Sequence, residues 1–144
     1  ASASKIEIGD GCMFANSAYV SDADWHGIYD RATPVGKTAP ITLDENVWIG
    51  DRAVVGKGVT IGKNSIVAAG AVVVKNVPSN VVVGGNPARI IKELDPSVDG
   101  NTRIKLFQDP PGLKDLYDQI DRYTLKDNSI FDYIRSLLLR NKSH

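Results

Sequence analysis

Large apolar side chains recur every six residues along this chain, at Leu43, Ile49, Val55, Ile61, Val67 and Val73, and an earlier run in the same frame gives Ile8, Phe14 and Val20. The residue that follows each is mostly small, as at Gly9, Ala15, Ser21, Gly50, Gly56, Gly62 and Ala68. Four positions after each aliphatic of the main run stands another small or β-branched residue: Val47, Ala53, Val59, Ser65, Ala71 and Val77. An α-helix, with 3.6 residues per turn, scatters a six-residue repeat around its circumference. A short strand followed by a tight corner brings every sixth residue back to the same inward place. Three such sides make one coil of about 18 residues, so the spacing predicts an all-β parallel β-helix, a triangular prism with aliphatic side chains stacked along its axis. An antiparallel sandwich also uses Val, Ile and Gly, but it does not hold one frame through six consecutive units.

Three to four coils fit between Lys5 and Asn86. So short a solenoid has two ends and a large lateral surface to cover, which predicts self-association. Seventeen basic residues balance seventeen acidic ones, arguing against nucleic acid or an anionic membrane as the main partner and leaving small molecules. The single Cys12 has no internal disulfide partner and fits a reducing, cytoplasmic setting; no apolar run approaches the roughly 18 residues of a membrane span. The opening Ala1–Ser4 is set aside from the fold argument, and whether the natural chain extends upstream of residue 1 is left open.

The frame breaks once. Six residues beyond Val20 stands His26, one of two histidines, and Leu43, where the frame resumes, lies 17 positions further on. The excess, an excursion over about 24–40, contains Gly27, Pro34, Gly36 and Pro40 and should leave the prism as a loop; long loops in compact domains are commonly functional.

The stretch "ITLDENVWIGDRAVVGKGVTIGKNSIVAAGAVVVKNVPSNVVVGGNPARIIKEL", residues 41–94, with "NVWIG" and "GGNPARII" as its most specific segments, resembles the hexapeptide-repeat acyltransferases, in particular the maltose- and galactoside-O-acetyltransferase-like branch. The resemblance implies a left-handed coil, which the spacing does not decide, a homotrimer with active sites between subunits, and acetyl-CoA as co-substrate. It also implies a catalytic histidine just before such an excursion, a position His26 matches. Imidazole, with an ordinary pKa of about 6.5, suits a general base at neutral pH. Without the resemblance, a histidine pinning its loop to a backbone carbonyl is the commoner arrangement.

Among its neighbours, Asp22 or Asp24 either orients the ring or solvates the loop base. Asp24, Tyr29, Asp30 and Arg31 are candidates for the acceptor pocket, with loop-tethering pairs among the last three as the alternative. Trp48, beside an inward Ile49, should point outward, for the acceptor site or for interface packing. Ala68–Ala71 keeps side chains small where an amide-bearing pantetheine chain can approach the backbone. The positions of Ala69, Lys75, Arg89 and Lys92 match coenzyme A contacts in the resembled enzymes, and cations at the last three suit phosphates. Val74 departs from a threonine common in those relatives. A backbone N–H near Asp51 is the candidate donor to the oxyanion.

The implied activity is transfer of an acetyl group from acetyl-CoA to a hydroxyl, or an amine, of a small acceptor, with a saccharide favoured by the "DWHGIYDR" loop. In the sugar-acetylating relatives part of the acceptor site comes from a segment that would match before residue 1. Related prisms also form zinc carbonic anhydrases, but His26 and His144 do not supply three histidine ligands, so no metal is expected. A non-catalytic assembly or interaction module is the other alternative. Cys12 is no candidate nucleophile, and "GKGVTIGKN" fails the Walker spacing.

Beyond Leu94 the frame disappears. The repeat domain is taken as 5–94 and a helical extension as 95–144, with Asp95-Pro96 and Asp109-Pro110-Pro111-Gly112 as breakers. Two short amphipathic helices are predicted there, the first with Leu113, Leu116, Tyr117, Ile120 and Tyr123 on one face. The second carries Ile130, Phe131, Ile134, Leu137 and Leu138 after an Asp127-Asn128-Ser129 start. Capping the prism or bracing a neighbouring subunit is their expected role; "IRSLLLRNK" lying on a membrane surface is the weaker alternative.

Overall fold

The computed structural model describes residues 1–98, 102, 104–126 and 128–139. Their contacts fall into two units, Ala1–Thr102 and Arg103–His144.

The first unit is a parallel β-helix. Its first coil holds β1 (Ile6–Ile8), β2 (Met13–Phe14) and β3 (Tyr19–Val20); the second β4 (Ile41–Leu43), β5 (Trp48–Ile49) and β6 (Val54–Val55); the third β7 (Thr60–Ile61), β8 (Ile66–Val67) and β9 (Val72–Val73). Each strand pairs in parallel with the one a coil later: sheet A runs β1-β4-β7, sheet C runs β3-β6-β9, and sheet B contains β2-β5-β8. A partial fourth coil adds β10 (Val81–Gly84) to sheet B. The chain then reverses, and β11 (Arg89–Glu93) closes that sheet antiparallel, with a bulge between Val82 and Val83. The six-residue frame of the sequence is the register of the sheets: Leu43 lies against Ile61, Ile49 against Val67, and Val55 against Val73.

All six aliphatics of the main run are buried in one core, joined by the second series, Val47, Ala53, Val59, Ala71 and Val77. Ser65 belongs to that series and is equally buried. It donates to the Pro78 carbonyl at 2.7 Å and accepts from the Val81 N–H at 3.3 Å, so its polarity is satisfied. Each fully buried aliphatic contributes about 1.5–3 kcal/mol. Ile8 and Phe14 hold the same frame in the first coil but remain exposed at the end of the stack.

The corners between sheets A and B use asparagine where the sequence pattern emphasises glycine. Asn46, Asn64 and Asn80 all have φ near +60° and form a ladder, Asn46 donating to Asn64 at 3.0 Å and Asn64 to Asn80 at 3.0 Å. Asparagine tolerates the left-handed region better than most residues. Replacing Asn64 with alanine removes both amide bonds and strains the corner, an expected loss of about 2 kcal/mol in denaturant unfolding. Asn64→Gly should recover the backbone share.

The outward faces differ. Sheet A presents Glu7, Thr42 and Thr60, whereas sheet B presents Met13, Trp48, Ile66 and Val82 in one row, and sheet C presents Tyr19, Val54 and Val72. Two of the three faces are therefore apolar.

The opening residues set aside in the sequence pack onto the prism. Asp22, fully buried, accepts from Ser2 Oγ at 2.9 Å, from the Ala3 N–H at 2.7 Å and from the Ser4 N–H at 2.8 Å.

Among the described residues the second unit contains three helices, α1 (Ile104–Gln108), α2 (Pro110–Leu125) and α3 (Ile130–Leu139), one more than the sequence predicts. The Asp109–Gly112 segment does not break structure but starts it: Asp109 caps α2 by accepting from the Gly112 N–H at 3.2 Å, and Pro110 and Pro111 occupy the first turn, where a missing N–H costs nothing. Ser129 caps α3, its Oγ accepting from the Asp132 N–H at 3.1 Å and donating to the Asp132 carboxylate. Asp127, Arg140–Lys142, His144 and the Leu137 side chain lie outside the described residues. No helix among the described residues is long and apolar enough to cross a membrane.

Candidate active site

The excursion leaves the prism between β3 and β4, where sheet C turns into sheet A, and its two arms are laced together. Ala23 and Thr38 form an antiparallel bridge, the Asp24 N–H donates to Lys37 O at 2.9 Å, the Gly36 N–H to Asp24 O at 2.7 Å, and the Ala39 N–H to Asp22 O at 2.9 Å. Gly36 lies so close to the opposite arm that a Cβ there would collide with the His26 carbonyl oxygen. Trp25 adds a side-chain tie, its indole N–H donating to Ser21 Oγ at 3.0 Å, while the Ser21 hydroxyl donates to Ala23 O at 3.2 Å.

His26 is exposed on this rigid base, and its imidazole makes no hydrogen bond among the described residues. Its loop backbone is laced in place while the exposed side chain ties the loop to nothing by a hydrogen bond among the described residues. Neither neighbouring acid orients the ring. Asp22 is committed to the Ser2–Ser4 segment; burial pushes its carboxyl up, but the three donated hydrogen bonds outweigh this and hold it below the usual range. Asp24 forms an ion pair with Lys57 from the next coil. Further along, Asp30 turns back on its own loop, accepting from Thr33 Oγ at 2.8 Å and the Ala32 N–H at 3.0 Å, which lowers its carboxyl. Tyr29 is fully exposed, and Arg31 is exposed beside it.

The prism sorts the remaining candidates by edge. Lys75 follows β9, so it stands on the same C-to-A edge as the His26 loop, with the Lys57 corner between them. Lys75 and Arg89 line a groove of about 450 Å³ at the upper end of the prism, together with Val73, Val74, Val83 and Ala88. Lys92 is not among its lining; it pairs with Val82 and continues the outward row of sheet B above Trp48 and Ile66.

Asp51 and Ala69 occupy a different edge, where sheet B turns into sheet C. They are stacked there, the Gly70 N–H donating to Asp51 O at 2.8 Å. The Asp51 N–H makes no hydrogen bond among the described residues, while its neighbours Gly50 and Arg52 donate to Val67 O and Asn16 O. Ala69 stands over Gly50, where a Cβ would come within 2.7 Å of the Ala69 nitrogen. Trp48 is exposed on sheet B, as its outward position required.

One chain thus carries His26 and Lys75 on one edge and Asp51 and Ala69 on another, while Arg89, paired with Gly84 in sheet B, meets Lys75 only in the groove at the end of the prism. Cys12 stands apart from both: half-buried, it donates to Asp44 O at 3.1 Å, and burial pushes its thiol up. Lys57 is the participant that sequence reasoning missed. Its only sequence signal is its place in "GKG", one coil above the loop's take-off point.

Residues 40–75 match the family described as bacterial transferase hexapeptide (six repeats). Over 92 residues the chain is 39% identical to the galactoside O-acetyltransferase of Escherichia coli K12, a match covering 62% of this chain and 45% of that protein. Over 71 residues it is 51% identical to the 2,3,4,5-tetrahydropyridine-2,6-dicarboxylate N-acetyltransferase of Clostridium perfringens, covering 49% of this chain and 30% of that one. Among solved structures, a galactoside acetyltransferase in complex with coenzyme A superposes with a TM-score of 0.57 at 39% identity, over 62% of this chain and 46% of that one. The chain spans less than half the length of these relatives.

Proposed function

We propose that this chain, whose residues 40–75 match the bacterial transferase hexapeptide family, is an acetyl-CoA-dependent acetyltransferase acting on a hydroxyl of a small saccharide, with His26 as general base. One observation carries this reading: the exposed imidazole of His26 stands on the same prism edge as Lys75, two coils below the corner from which Lys75 lines the groove with Arg89. The acceptor hydroxyl gives its proton to His26 as its oxygen attacks the thioester carbonyl. The tetrahedral oxyanion is met by a backbone N–H at the Asp51 corner, and the departing coenzyme A sulfur takes the proton back from the imidazolium. Lys75 and Arg89 hold phosphates, and the small side chains around Ala69 admit the pantetheine chain.

Because these parts lie on two edges of one chain, the complete site belongs between copies. The coil is left-handed, as in the resembled acetyltransferases, and three copies assemble through the apolar outer faces of sheets B and C. The C-to-A edge of one subunit then faces the B-to-C edge of the next. Tyr29 and Arg31 line the acceptor side with Trp48.

The test is a thermal-shift titration with acetyl-CoA followed by acceptor-dependent release of coenzyme A across saccharides and amines. Stabilisation by acetyl-CoA is expected, and Lys75→Ala with Arg89→Ala should weaken its apparent affinity about tenfold or more, since each charged hydrogen bond is worth about 1.5–3 kcal/mol. Absence of any shift at millimolar acetyl-CoA would favour the non-catalytic module; release with amines alone would move the acceptor class.

A further inference from the structure

Lys57 and the neighbouring Gly58 hold both arms of the His26 loop from the coil above. Lys57 pairs with Asp24, two residues before His26 on the outgoing arm; the Gly58 N–H donates to Ala39 O at 3.2 Å on the returning arm. The two charged side chains are each about one-third exposed, 31% for Lys57 and 34% for Asp24, so the pair is shielded more than an ordinary surface bridge and screened less. Gly58 has φ +74°, a conformation that glycine adopts without cost, and its Cα faces the Ala39 methyl at close range.

The ties at Asp24, Gly36 and Ala39 fix the loop as a hairpin, and the Trp25 indole on Ser21 joins its base to the first coil. Among the described residues, the polar ties from the hairpin to the next coil are those made by Lys57 and Gly58, on the edge that leads upward to Lys75. We propose that Lys57 is a positioning residue: through Asp24 it fixes the height and angle at which the loop presents His26 relative to the Lys75–Arg89 groove. The inference rests on His26 being the base of the proposed reaction. Asp24 thereby acquires a role other than acceptor binding or ring orientation. A misplacement of about 1 Å at a reacting group can cost about a hundredfold, so a clamp of modest stability has a large effect on rate.

The experiment uses the full chain with Lys57→Met, Lys57→Arg, Asp24→Asn and the double variant Lys57→Met with Asp24→Asn. Amide hydrogen exchange over residues 24–38 reads the loop directly, without any acceptor. Exchange there should rise at least tenfold in Lys57→Met and stay unchanged in the coils. Turnover is measured with acetyl-CoA and whichever of maltose and methyl β-galactoside is acetylated. In Lys57→Met kcat should fall about tenfold or more with the KM for acetyl-CoA within twofold; Lys57→Arg should restore kcat to within threefold, and the double variant should be no worse than either single one. If neither saccharide is acetylated, the exchange measurement alone decides.

Unchanged loop exchange in Lys57→Met overturns the clamp. So does faster exchange with undiminished kcat, which would make the pair purely structural. Activity retained in His26→Ala would instead remove the base assignment, so the two failures are separable: a dead His26→Ala beside a fully active Lys57→Met defeats the clamp alone.

Discussion

Replacing His26 with alanine should lower turnover at least about a hundredfold while leaving assembly and the acetyl-CoA thermal shift unchanged, because general-base assistance is worth about 10²–10⁴ in rate and nothing structural leans on this ring. The imidazole is exposed and accepts or donates no hydrogen bond among the described residues. What holds the loop is its backbone lacing, the Trp25 indole, the Asp24–Lys57 pair and the close approach of Gly36 to the His26 carbonyl, and none of these uses the side chain. The alanine variant therefore keeps its hairpin and its groove and loses only the imidazole that the proposed reaction uses as its base. Steady-state kinetics with a competent acceptor, read beside the melting curve in acetyl-CoA, checks it. A variant that keeps most of its activity removes the base.

The second large effect is in the core. Ile61 is fully buried midway along the axial stack, with Leu43 paired on one side and the Val77 bridge on the other, so truncation to alanine leaves a void that rigid coils cannot close. A loss of about 2–5 kcal/mol is expected in denaturant unfolding. Ile8 occupies the same frame one coil below β4 but is half exposed, and its truncation should cost less than about 1 kcal/mol. Equal costs at the two positions would mean that the exposed end is covered in solution.

The contrast between those two isoleucines also shows what a sequence discloses here. The frame from Leu43 to Val73 names the core and the strand register, because a period of six has one geometric solution and each member meets identical surroundings. Periodicity says nothing about how far a position lies from an end, so Ile8 and Ile61 look alike in the sequence and differ in burial. His26 was legible as the place where the period fails. Lys57 was not, because a lysine in a corner carries no mark of the residue that reaches it across 33 positions of chain. Asp22 and Asp24 were both visible as acids beside the histidine; which partners they would take depended on Ser2–Ser4 and on the coil above, information held in tertiary packing. The prolines at 110 and 111 read as breakers because proline ends helices from within, whereas Asp109 ahead of them makes the same residues a start.

The coils also act as a ruler. Parallel strands stack about 4.8 Å apart, so the vertical separation between the loop that carries His26 and the corner that carries Lys75 is set by counting turns rather than by any flexible linker. Inserting one further 18-residue unit above Lys57 would leave the hairpin's contacts with Lys57 and Gly58 intact and carry Lys75 one step further from the loop, so in the proposed reaction the number of repeats sets the length of donor that fits.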